Sequence, residues 1–235
     1  MVAKLNLSTV ATKASKSAGA LLIEFGGNIV RSFDQYTAEH QERVAIIAEA
    51  LAEQLRLPLS QREAIYIAAK IHDVGKIFLP MALLQQNRKL TVEEYEILKL
   101  HVTWGADKLR NIDFPWPLYQ IVEQHHERLD GSGYPKGLRY TEIRIEAQVL
   151  AVADSLDAMV AARPYNYHDR IKSFDEAINE IEQDVGTKYN PQVIMVLRKT
   201  WNKYEFSKMY DQSMTIDDFK IWQQVHHFKT LHMKK

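Results

Sequence analysis

Apolar residues recur along this chain at three- and four-residue steps, and the recurring stretches are separated by proline- and glycine-bearing breaks. The pattern is strongest over 37–57, where Thr37, Val44, Ile47, Leu51 and Leu55 share one face and Pro58 closes the run. Ser60-Gln61-Arg62-Glu63 reads as a capping box opening a second helix through Ile71, with Ile65, Ala68 and His72 along its inward stripe. Residues 77–90, containing Pro80, are expected to form a loop. Thr91-Val92-Glu93-Glu94 is a second capping box, heading a helix over about 92–110 whose stripe is Leu98, His101, Val102 and Gly105. Two prolines between 113 and 117 break the chain, and a short helix over 118–127 follows. The most apolar helix is expected over 142–162, with Ala147, Leu150, Ala151, Asp154, Ala158 and Ala161 on one stripe. Ser173 caps a further helix ending near Gly186, and Asn190-Pro191 opens the next, running to about Tyr210. The expected fold class is therefore all-α, a helical bundle.

Three segments follow. Residues 1–33 are a leader with a helix around Leu21, Leu22, Ile23 and Phe25; 34–210 form the main domain; and 211–235 are an amphipathic tail around Met214, Ile216, Phe219, Ile221, Trp222 and Val225. The leader is too short to hold a sensory domain, so regulation is expected from a partner protein, a homodimer contact or expression. His226, His227 and His232 in the tail lack carboxylate partners and read as solvated surface.

Composition narrows the function classes. Lys+Arg and Asp+Glu are both 30, so no global field draws the chain to DNA or to an anionic membrane. With no cysteine, thiolate nucleophiles, disulfides and Cys-ligated zinc are excluded, which suits a reducing cytoplasm. No apolar run is long enough to span a bilayer.

What the helical pattern does not absorb is a set of histidines and acids on inward positions. His40 lies four residues before Val44, on the inward face of its helix. His72-Asp73 ends the second helix, offering a nitrogen and an oxygen ligand at close range, and Gly75 is expected to supply a positive-φ turn there. His101, His125 and His126 extend the set, and Asp154 is an acid in the middle of a buried stripe, where an unpaired carboxylate costs several kcal/mol. Five imidazoles and two carboxylates point to a multinuclear site for iron, manganese or zinc. Paired ions suit in-line displacement at phosphorus, and Lys76 beside the cluster suits a phosphate contact. Asp157, one turn beyond Asp154, is placed to accept a hydrogen bond from behind the ligands.

His72-Asp73-Val74-Gly75-Lys76, His125-His126-Glu127 with Asp130-Gly131-Ser132-Gly133-Tyr134-Pro135, and Asp154 with Asp157-Ala158 resemble the HD-GYP family of cyclic dinucleotide phosphodiesterases over about residues 34–200. The resemblance implies an HD-type helical bundle and hydrolysis of cyclic di-GMP to pGpG, in many members onward to GMP, through a metal-bound hydroxide. Carried over by position, His40, His72, Asp73 and Asp154 would hold one metal with Asp73 bridging, and His101, His125 and His126 the other. Asp73 and Lys76 are the expected catalytic residues. Lys76, Arg163, Gly133, Tyr134 and Pro135 would line the substrate, and Glu127 joins Asp157 behind the ligands.

Tyr36 stands where three-metal members carry a glutamate, so two divalent ions are expected, with Glu39 turned away. Iron or manganese comes first, and zinc, nickel and magnesium remain compatible. Asn166 replaces a basic residue near the substrate. Two alternatives to cyclic di-GMP hydrolysis stay open: hydrolysis of 3′,3′-cyclic GMP-AMP, and a sensor that binds a cyclic dinucleotide without turnover. A plain HD-type mononucleotide hydrolase needs fewer ligands than are present.

Overall fold

The computed structural model describes residues 24–161, 171–211 and 214–221. The calls on Arg163, Asn166, the first part of the leader and the histidines of the tail fall outside the described residues.

Helical residues 24–33 (α1) lead into α2 (Gln35–Gln54), α3 (Leu59–Ile71), a 3₁₀ turn (Val74–Phe78), α4 (Met81–Leu84), α5 (Val92–Arg110) and α6 (Leu118–Gln124). After a 3₁₀ turn (Tyr140–Glu142) come α7 (Ile145–Val160), α8 (Phe174–Gln183), α9 (Pro191–Lys203) and a third 3₁₀ turn (Phe206–Tyr210). Residues 216–221 are helical again. Among the described residues the only β contacts are two isolated bridges, Asp130 with Arg139 and Val185 with Tyr189.

The caps show why the helices begin where they do. Asp34, in extended backbone, accepts from the amides of Tyr36 and Thr37 and starts α2. Thr91 with Glu94 and Ser173 with Glu176 form complete capping boxes, and Asn190 caps α9 with Pro191 at its first position. The box expected at Ser60 does not form. Pro58, with ψ 148°, ends the preceding extended backbone, and its carbonyl takes the amides of Gln61 and Arg62. Ser60 is thus already inside the first turn and cannot cap it. The stretch read as a loop over 77–90 contains the end of the first 3₁₀ turn and all of α4, elements too short to show a period. α6 and α7 are also shorter than expected, and α9 stops seven residues before Tyr210.

α2 and α7 pack together at the centre and carry the largest share of the core, with Val44, Ile47, Ala48 and Leu51 from one and Ala147, Leu150, Ala153 and Leu156 from the other all fully buried. α3 and α6 close one side, α8 and α9 another, and α5 packs on α6 and on the first 3₁₀ turn. No helix among the described residues is long and apolar enough to cross a membrane.

Candidate metal centre

Five helices bring their ends or inner faces to one buried point. His40 comes from the first half of α2 and Asp154 from the buried stripe of α7. His72 is the residue at which α3 ends, and Asp73 starts the 3₁₀ turn beyond it. His101 lies mid-way along α5, and His125-His126 follow the last turn of α6. The ligand atoms of His40, His72 and Asp73 lie within 4.8 Å of one another, as do those of His101, His125 and His126, and those of His72, His125 and Asp154. All seven predicted ligands therefore meet.

The imidazoles are oriented from behind. Nδ1 of His72 sits 2.8 Å from the carbonyl of Ala69, Nδ1 of His101 is 2.6 Å from that of Leu98, and Nδ1 of His125 is 2.6 Å from that of Val122. A carbonyl only accepts, so Nδ1 carries the proton and Nε2 presents its lone pair to the centre. Those three Nε2 atoms are buried and have no hydrogen-bond partner among the described residues. His101 Nε2 faces Asp73 Oδ1 at 3.3 Å, and His72 Nε2 faces Asp73 Oδ2 at 3.5 Å. Acceptor faces acceptor across each gap, an arrangement that costs free energy unless a cation lies between them. The donor set is imidazole and carboxylate without sulfur, so the residues present fit a divalent transition metal.

His40 is held differently. Its Nδ1 is 2.7 Å from Asp157 Oδ2, and its Nε2 is 3.1 Å from Asp154 Oδ1 and 3.8 Å from Asp73 Oδ2. Burial alone would lower this imidazole, but the hydrogen bonds and charges of Asp154 and Asp157 outweigh it, and His40 is pushed up to about 9. Burial, reinforced by His72 and His101, pushes His125 down to about 3, and His72 and His126 are also lowered, chiefly by burial. Burial opposes ionisation of Asp73, yet Lys76 and the imidazoles hold it well below the usual carboxylate range. The Lys76 ammonium lies 2.5 Å from Asp73 Oδ2 with its side chain partly open to solvent.

Gly75 does not take the positive φ expected of it. Its role is close approach: a Cβ there would stand 1.9 Å from the carbonyl oxygen of His101. The glycine lets the 3₁₀ turn bearing Asp73 press against α5, which sets the distance between His101 and Asp73.

The loop after His126 folds back over the centre. The Tyr134 amide donates to the carbonyl of His126, and the Tyr134 ring lies 4.7 Å from the His126 ring at 31°. The Tyr134–Pro135 peptide is cis. A Cβ on Gly133 would meet the backbone of Glu127 and Arg128 at 2.4 Å, and Gly131 and Gly137 take φ of 82° and 63°. Glu127 stands behind this loop and not behind an imidazole: its carboxylate accepts from the amides of Lys136 and Leu138 at 2.7 and 2.9 Å. Two loop amides have no helical partner, and a buried acid supplies one.

Sequence reasoning missed three contributors. Arg43 donates to Asp157 through Nε at 2.8 Å and Nη2 at 3.0 Å, and Tyr210 donates to the same carboxylate at 2.6 Å. Lys99 lies over the rings of Tyr95 and Tyr134 at 4.9 and 5.4 Å. Arg43 was within reach of inference, since it falls one turn after His40 on the same helix; for Tyr210 no local pattern pointed inward.

The HD domain family matches residues 27–193. A cyclic di-GMP phosphodiesterase of Thermotoga maritima is 41% identical over 168 residues, covering 71% of this chain and 45% of that protein. The 3′3′-cGAMP-specific phosphodiesterase 1 of Vibrio cholerae is 31% identical over 182 residues, covering 77% and 42%. This chain thus spans less than half the length of these curated relatives. Among solved structures, an HDG"Y"P protein from Bdellovibrio bacteriovorus superposes with a TM-score of 0.60 at 22% identity, over 79% of this chain and 64% of that one, a likeness of fold. With a family match covering most of its length and the His72-Asp73 pair at the heart of the buried cluster, the chain belongs to the HD domain family.

Proposed function

We propose that this chain is a metal-dependent phosphodiesterase that hydrolyses cyclic di-GMP to pGpG. The observation that carries the reading is the set of three buried Nε2 lone pairs, on His72, His101 and His125, gathered with the carboxylates of Asp73 and Asp154 and without a hydrogen-bond partner among the described residues. In this reading His40, His72, Asp73 and Asp154 hold one divalent ion and His101, His125 and His126 a second, iron or manganese in the cell. Bound ions of this kind supply Lewis acidity and activate water at neutral pH.

The chain's own residues do the rest. Asp73 spans the two halves, since its Oδ2 faces His72 and its Oδ1 faces His101. Lys76, now on Asp73, has the reach and exposure to turn toward a phosphate and balance the charge that gathers there. Tyr134, backed by His126, offers a ring on which a purine stacks, and Lys99 sets a cation at the same rim. A cytoplasmic setting completes the reading, and the cysteine-free composition suits it.

A second substrate, 3′,3′-cyclic GMP-AMP, is favoured by the 31%-identical relative named for it. Turnover by anaerobically purified full chain with Mn²⁺ or Fe²⁺, beside a His72→Ala/Asp73→Ala control, tests both. Release of pGpG or GMP from cyclic di-GMP, absent in the control, supports the main reading. Faster cleavage of cyclic GMP-AMP moves the assignment to that nucleotide. Binding of either without cleavage at a metal-loaded site makes the chain a sensor.

A further inference from the structure

Tyr210 lies beyond residues 27–193, the part of the chain that matches the family, yet its hydroxyl reaches the carboxylate that orients His40. We propose that Tyr210 is a positioning residue for His40, and that the segment from Phe206 onward is a working part of the metal centre. The proposal rests on the reading above in one respect, that His40 holds a metal ion.

Asp157 is fully buried, and its two oxygens serve four donor groups. Oδ2 takes His40 Nδ1 and Arg43 Nη2, while Oδ1 takes Arg43 Nε and the Tyr210 hydroxyl. A carboxylate held on both oxygens has no freedom to swing about its last torsion, so the imidazole on Oδ2 is fixed in direction. The donors are themselves braced. The Arg43 guanidinium lies between the rings of Tyr36 and Tyr210, 6.0 and 5.7 Å from their centroids, and the Tyr36 ring stacks parallel to His40 at 6.4 Å. His40, Tyr36, Arg43, Tyr210 and Asp157 thus form a closed circuit.

The circuit is tied to the far end of the molecule by rings. Tyr210 stacks on Trp201 of α9 at 5.6 Å, and Trp201 stacks on Phe174 of α8 at 3.9 Å. Beyond Tyr210 the chain stays attached to α2, the helix that carries His40: Phe219 is fully buried against Phe206, and Lys220 pairs with Glu42 at 2.8 Å. A disturbance of the C-terminal segment is therefore transmitted to His40, one ligand of one half of the centre, while His101 and His125 of the other half, held on backbone carbonyls, do not feel it.

The test is titration of Mn²⁺ into metal-free full-length chain by calorimetry, for the parent, Tyr210→Phe and Tyr204→Phe. Tyr204→Phe is the control, because it removes a tyrosine hydroxyl bonded to Glu53 from the residue that ends α9, just before that segment. Tyr210→Phe is expected to weaken one ion about 3- to 10-fold, less than loss of a direct outer partner, and to leave the second unchanged. Tyr204→Phe is expected to bind both as the parent does. Unchanged binding by Tyr210→Phe, equal weakening of both ions, or the same loss in Tyr204→Phe overturns the proposal. If the parent takes up no ion, the proposal and the phosphodiesterase reading both fall. If Tyr210→Phe behaves as expected but no cyclic dinucleotide is cleaved, the positioning role stands and only the substrate reading falls.

Discussion

The histidines of the centre are held by two different means. His72, His101 and His125 each lean on the carbonyl three residues earlier in their own helix. His40 leans on Asp157, 117 residues away in sequence. The first arrangement is local and belongs to the backbone, so once the helix forms the imidazole is oriented, and no single side-chain change removes the acceptor. The second depends on a side chain, on Arg43 and on Tyr210, so each link can be cut by substitution. The half that holds His101 and His125 is built with the fold; the half that holds His40 is also tuned by distant side chains.

Cutting the residue that joins the halves gives the largest effect. Asp73→Asn is expected to lose both ions and to bring cyclic di-GMP turnover to background, as read by elemental analysis and product release; retention of one full-affinity ion would show that Asp73 does not bridge.

Asp157→Asn separates the halves. It should weaken one ion by about 10- to 100-fold and spare the other. It also leaves the buried Arg43 charge without its partner, so denaturant unfolding should show a loss of about 3 kcal/mol. Gly75→Ala disturbs both halves together, because its Cβ overlaps the His101 carbonyl and forces the turn away from α5. A destabilisation of about 1–3 kcal/mol, with both ions weakened, is expected from this overpacking.

The pH dependence separates the halves a second time. In the metal-free protein His40 keeps its proton up to about 9, whereas His125 is neutral above about 3. A metal must displace the His40 proton, so uptake in that half tightens as pH rises from 6 to 9, by about tenfold per unit at most, and levels off above. In the other half His125 carries no such proton, so uptake there should rise less steeply over the same window. Parallel pH profiles for the two ions would contradict the distinction.

Much of this was legible in the sequence because helices advertise themselves. Inward histidines at His40, His101 and His125 fall on the same three- and four-residue steps as the core, and Asp154 stands out as an acid among alanines and leucines. The caps at Thr91, Ser173 and Asn190 were readable for the same reason, being local chemistry. What was hidden is what depends on distant approach. Gly75 looked like a turn glycine, but its neighbour is His101 of α5. Glu127 looked like support for a ligand, but its partners are loop amides nine and eleven residues ahead. Tyr210 had no pattern to mark it, since its partner Asp157 lies 53 residues earlier and the pairing follows only from how α9 packs on α7. The missed capping at Ser60 has a smaller cause, a proline that starts the helix two residues early.

The most direct test of the two-part centre is the stoichiometry and affinity of Mn²⁺ for the metal-free full-length chain and its Asp157→Asn variant, measured side by side. Two ions in the parent, of which only one weakens in the variant, is the expected result. One ion, three ions, or equal weakening of both in the variant would contradict it.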